Sequence, residues 1–262
     1  MPRKSKRGTA LSTPAATDSA APPAALPLFY KQPSPLVAER DAELTLAASG
    51  DHRFAAITNS VPLVASELPQ ACKHFPILFS EGAAPQMVAL LGLRTGENLF
   101  VDSAGRWSEG AYIPAYVRRY PFIFLESDDR SEYTLCIDLA APGVGTGSGS
   151  RLFENGEPTD FTRTALDFCR EYQAHFRFTA DFIAALQEAD LLVENRADVT
   201  LSDGERLSLS GFQVIDEERF NALPDETFLQ WRRRGWLHLV YCHFISVGNW
   251  GALVDRSVLK AV

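Results

Sequence analysis

The periodicity of one segment constrains this chain more than any other feature. Apolar residues fall at Phe161, Ala165, Phe168, Tyr172, Phe176, Ile183 and Leu186, with Thr179 filling the one gap. This three-four spacing predicts a helix of up to about 28 residues, roughly 40 Å long, with Asp160 capping its start. Arg163, Asp167, Arg170, Glu171, Arg177 and Asp181 fall mainly on its other faces. A helix so rich in Phe reads as the cover of a sheet, with a homodimer seam as the alternative use of the stripe.

The sequence before this helix has a different rhythm. Short apolar runs at 76–79, 87–93, 98–101, 122–125 and 133–139 are separated by breakers such as Arg94-Thr95-Gly96 and Asp128-Asp129-Arg130. They read as an antiparallel meander. A helix is expected over 67–75 with Ser66 as N-cap. After the long helix, segments 198–201 and 206–209 flank Ser202-Asp203-Gly204-Glu205 as a hairpin. Short helices follow at 216–223 and 225–234, the latter stopped by Gly235 and ending in Arg232, Arg233 and Arg234, where cations suit the helix dipole. The stretch 236–254 reads as one buried closing helix. The expected architecture is therefore α+β: an antiparallel sheet packed against a long central helix and a buried C-terminal helix, in a single domain over 27–262.

Composition narrows the partners. The formal net charge of −8 argues against a protein that tracks phosphates, so no nucleic-acid partner is expected. Residues 1–26 are the local exception, with Arg3, Lys4, Lys6 and Arg7 against Asp18. Their Ala, Pro, Ser and Thr content predicts a disordered tail, and breaks any apolar run of the 7–15 residues or so that a Sec signal needs. No stretch approaches the roughly 20 apolar residues of a membrane span. A cytoplasmic location is the expectation, with signal-less export to the cell surface left open. Cys72, Cys136, Cys169 and Cys242 form no CxxC pair, which predicts reduced thiols and no metal centre.

Few stretches carry chemistry. Gly143, Gly145, Gly147 and Gly149 lead into no helix and no P-loop lysine, and read as a flexible connection rather than a phosphate cradle. The segment Tyr112-Ile113-Pro114-Ala115-Tyr116-Val117-Arg118-Arg119-Tyr120-Pro121-Phe122 is richer. Pro114 can open a short helix at its first position and Pro121 ends it, with Tyr112, Tyr116 and Tyr120 on one side. Arg118 and Arg119 point about 100° apart, so one should clamp the fold while the other engages an anion. In the closing helix, His238, Cys242, Ser246, Asn249 and Arg256 share a stripe, and His243 lies in the apolar arc. The ligand-binding candidates are Tyr112, Tyr116, Arg118, Arg119, His243, Ser246 and Asn249. No catalytic residue is nominated, because GxSxG, HExxH and dinucleotide fingerprints are absent from the sequence. No cofactor is expected.

The ordered motifs resemble the bacterial SapC family. The matching pieces are Phe54-Ala55 with Val61-Pro62-Leu63, Phe75-Pro76-Ile77-Leu78-Phe79, Leu90-Leu91-Gly92-Leu93, Gly96-Glu97-Asn98-Leu99-Phe100-Val101-Asp102 and Gly105-Arg106-Trp107. The Tyr112–Phe122 box is the most distinctive. Leu152-Phe153 with Gly156, Gly211-Phe212-Gln213-Val214-Ile215-Asp216 and the closing helix with Ser246 complete the series over about 27–257. The resemblance implies a non-enzymatic accessory or binding protein linked to a surface layer or the envelope, with a protein or a small anionic or aromatic ligand as partner. Its alternative, suggested by relatives encoded beside halogenase-like genes, is an enzyme or enzyme partner acting on an aromatic or peptide substrate.

Overall fold

Periodicity becomes structure most directly in the central helix. The computed structural model describes residues 26–126, 133–201 and 204–260. The expectations for the 1–26 tail and for the breaker at 128–130 lie outside those residues, apart from Leu26. Seven α-helices are described: α1 (Leu68–Ala71), α2 (Ala115–Arg118), α3 (Asp160–Glu188), α4 (Glu217–Asn221), α5 (Asp225–Arg234), α6 (Leu237–Val247) and α7 (Trp250–Lys260). The long helix α3 has 29 residues, but its cap is Thr159, whose hydroxyl accepts the Thr162 N–H at 3.3 Å, and not Asp160. Its buried face is Thr162, Cys169, Tyr172, Thr179, Phe182, Ile183 and Leu186. Phe161, Phe176 and Phe178 stay partly exposed, so the stripe is rotated from the one expected.

The strands do not form one meander. A five-stranded antiparallel sheet has the order Leu192–Thr200, Arg206–Ile215, Ile77–Ser80, Met87–Leu90, Ser60–Pro62. Phe122–Glu126 and Tyr133–Asp138 pair in a second sheet, completed by Pro33–Pro35. The late hairpin joins the first sheet through Phe212 and Gln213, which face Ser80 and Phe79. Run 98–101 is no strand: only Val101 bridges, to Trp107, while buried Asn98 donates to the Ala55 carbonyl at 2.9 Å. The glycine-rich connection is pinned, since Val144–Gly145 and Ser150–Arg151 both pair with Thr45–Leu46. A Cβ on Gly149 would lie 2.6 Å from the Leu46 carbonyl, which explains the glycine there.

α3 links two cores. Cys169, in its first half, packs with Phe122, Ile137, Leu152 and Phe153 under the second sheet. Phe182, Ile183 and Leu186, in its second half, enter the main core with Phe75, Phe79, Trp231 and Trp236. The expected closing helix is two: α6 and α7 meet at 43°, because the chain breaks at Gly248 and Asn249. No single described helix is long and apolar enough to cross a membrane. α4 and α5 form where expected, capped by the Asp216 side chain and by Gly235 in the left-handed region at φ 71°. The expected helix over 67–75 is only one turn, α1, preceded by a 3-10 turn at Ala65–Glu67. Ser66 does not cap it; the Glu67 carboxylate holds the Val64 N–H instead.

Candidate functional site

The Tyr-Arg box folds as one helical turn between two prolines. Pro114 sits at the N-cap of α2 and not inside it. The three tyrosines diverge instead of sharing a side. Tyr112 donates to Glu67 Oε1 at 3.0 Å, Tyr116 to the Leu28 carbonyl at 3.2 Å and Tyr120 to Asp138 Oδ2 at 3.1 Å. Tyr112 and Tyr120 lie outside the helical turn, so its 100° step does not align them with Tyr116. The box thereby ties together the 26–30 segment, the 64–67 turn and the second sheet.

The two arginines separate as their spacing requires. Arg119 turns inward between the rings of Tyr116 and Tyr172, at 4.2 and 4.4 Å, with Tyr30 at 5.9 Å. Its Nε has no hydrogen-bond partner among the described residues. Arg118 lies on the surface, where Nε donates to the Ile113 carbonyl at 3.0 Å and Nη2 to the Tyr112 hydroxyl at 3.1 Å. Its guanidinium also sits 5.2 Å from the centre of the Phe168 ring. It forms no ion pair with a carboxylate among the described residues.

Arg118 stands beside a cavity of about 250 Å3 lined also by Glu67, Tyr112, Phe168, Glu171, Tyr172 and His175. Glu67, only 4% exposed, is the group that sequence reasoning missed. Its Oε2 accepts the Val64 N–H at 2.9 Å, and Oε1 accepts the Ala115 N–H at 2.6 Å as well as the Tyr112 hydroxyl. Burial pushes this carboxyl above its usual range, opposed by those donors and by the charge of Arg118. Burial, with Glu67 second, pushes the Tyr112 phenol up to about 12. The one available signal was a Glu three residues after Val64, the spacing of a capping box.

The remaining candidates lie elsewhere. Ser246 is fully buried, accepting the Ile77 N–H at 3.1 Å and donating to the His243 carbonyl at 2.6 Å. Asn249 donates to the carbonyls of Cys72 and Phe75 at 2.7 and 3.1 Å, which holds α1 against the α6–α7 corner. His243 Nε2 accepts the Ile215 N–H at 3.1 Å, leaving Nδ1 buried without a partner among the described residues. It forms part of the wall of a separate groove with Phe212, Val214 and Trp250. The four cysteines are free thiols. Cys242, far from Cys72 in sequence, lies beside it in space, and burial and that neighbour push its thiol up to about 11.

His243 supplies a pH prediction. Burial lowers its pKa from 6.5 to about 4, so the folded chain holds it neutral while the unfolded chain protonates. Stability from this group is full above about 6.5 and is lost as pH falls towards 4. At 1.36 kcal/mol per pH unit the loss is about 3 kcal/mol. Urea unfolding at pH 7 and pH 4.5 should show it, and His243→Gln, whose amide oxygen can accept the Ile215 N–H, should lower the dependence. An unchanged pH profile in that variant would remove His243 as the cause.

The SapC family model matches residues 36–253. No curated protein and no solved structure matches the chain.

Proposed function

This chain belongs to the SapC family, and from that premise we propose that it is a non-catalytic accessory protein of surface-layer or envelope function. In this reading it recognises an anionic group on a protein partner at the Arg118 corner. The observation that supports binding over catalysis is the state of Glu67. It is the buried carboxyl of that cavity, burial pushes it above its usual range, and both its oxygens are already engaged by the donors of Val64, Ala115 and Tyr112. A general base needs an oxygen free to reach a substrate proton. Arg118, by contrast, is oriented by two hydrogen bonds and has guanidinium N–H groups left for a carboxylate or phosphate.

The test is affinity capture from the native host with the parent protein and with Arg118→Ala and Arg118→Glu. Arg118 is exposed, so Arg118→Ala should change stability by less than about 1 kcal/mol. At least one protein captured by the parent should be lost from both variants, and an acidic peptide from it should bind the parent directly. Identical capture by all three proteins would sink this reading.

A further inference from the structure

A second feature of the fold lies on the other half of α3. Asp181, Ala184, Ala185 and Glu188 fall at i, i+3, i+4 and i+7, on one helix face. Thr227, Gln230, Trp231 and Arg234 repeat the same spacing on α5. The two faces look onto a common cleft of about 660 Å3, closed by Trp236. Facing positions of neighbouring helices ordinarily fill with interlocking apolar side chains. Here one face is alanine and acid and the other is polar around a single Trp, so the space between them stays open.

The polar groups of the cleft are unspent. Asp181, Glu188 and Arg234 take part in no ion pair among the described residues. The Arg234 guanidinium lies over the Trp236 ring, 4.8 Å from its centre, a stacking that leaves its N–H edge available. Trp236 is only 4% exposed, and its indole N–H has no acceptor among the described residues. The cleft thus presents the Arg234 guanidinium on the α5 side, carboxylates on the α3 side, and apolar wall from Ala184, Ala185 and Trp231 between them.

We propose that this cleft binds a small zwitterion of the amino-acid class with an apolar side chain. Its carboxylate is taken by Arg234, its ammonium by the acids of α3, and its side chain lies against the alanines and Trp231. Both charges are needed, because a ligand carrying one of them leaves the opposite side of the cleft unmatched. This site is independent of the Arg118 corner, which involves the other half of α3.

Isothermal titration calorimetry with the full chain and three matched probes tests the assignment. L-Leucine carries both charges, isoamylamine lacks the carboxylate and isocaproate lacks the ammonium. Saturable binding of L-leucine is expected, with each single-charge probe at least about tenfold weaker, the loss of about 1.4 kcal/mol. Arg234→Gln should weaken L-leucine by a similar factor, and so should the double change Asp181→Asn, Glu188→Gln. All these side chains are exposed, so circular dichroism should show the variants folded. Arg118→Ala should bind L-leucine like the parent, which separates this result from the fate of the partner site. No saturable heat with L-leucine up to several millimolar, or equal binding of all three probes, overturns the proposal.

Discussion

Glu67→Ala should destabilise the protein by about 2–5 kcal/mol. The change strips the acceptor from two buried backbone donors, Val64 N–H and Ala115 N–H, whose residues are 1% and 6% exposed. Each buried donor left unpaired costs about 1–3 kcal/mol, and Tyr112 loses its partner too. For a chain of this size the loss corresponds to about 5–15 °C in Tm. Glu67→Gln keeps one amide oxygen as acceptor but sets an NH2 group against the other donor. It should lose less than the alanine variant and more than a surface change. Thermal unfolding of the three proteins decides: a Glu67→Ala variant within about 0.5 kcal/mol of the parent would show that the turn and the Tyr-Arg box do not depend on this carboxylate.

The second large effect is expected at Arg119, and it separates two neighbours in sequence. Arg119 lies half-buried between two phenol rings at 4.2 and 4.4 Å, where a cation over an aromatic face contributes about 0.5–2 kcal/mol. Arg119→Ala removes those contacts and leaves a cavity, for an expected loss of about 3–5 kcal/mol. Burying the charge has its own desolvation cost, so Arg119→Met, which refills much of the volume without a charge, should lose less than half as much. Arg118→Ala stays within about 1 kcal/mol of the parent. Equal losses at both positions in urea unfolding would mean that the corner does not divide its two arginines between packing and surface.

Legibility varied with the range of the interaction. α3, the hairpin, α5 and the stop at Gly235 depend on residues a few positions apart, and the spacing of Tyr172, Thr179, Ile183 and Leu186 or the left-handed glycine is written directly into the chain. The inward and outward arginines also follow from adjacency, because a helical step of about 100° separates their side chains. The break between α6 and α7 was less legible. Gly248 permits it, yet Asn249 fixes it through carbonyls of Cys72 and Phe75, more than 170 positions away. Ser246 stands out by its place on the polar stripe of the closing helix and His243 by its place in the apolar arc, and the tertiary structure gives them backbone N–H groups of Ile77 and Ile215 to satisfy.

The sequence by itself determined the α+β class, the long helix, its two short successors and membership of a family whose model matches residues 36–253. These depend on periodicity, caps and motif order, which are local properties of the chain. Only the tertiary structure decided that the described strands divide among four sheets, that Glu67 is the centre of the Tyr-Arg corner, and that α3 and α5 enclose an open polar cleft. The physical reason is distance along the chain. A strand edge has no local preference between partners, and Glu67 meets its acceptor role through an N–H 48 residues away. Whether two helix faces close on each other or leave space depends on which faces meet, and no window of sequence contains both.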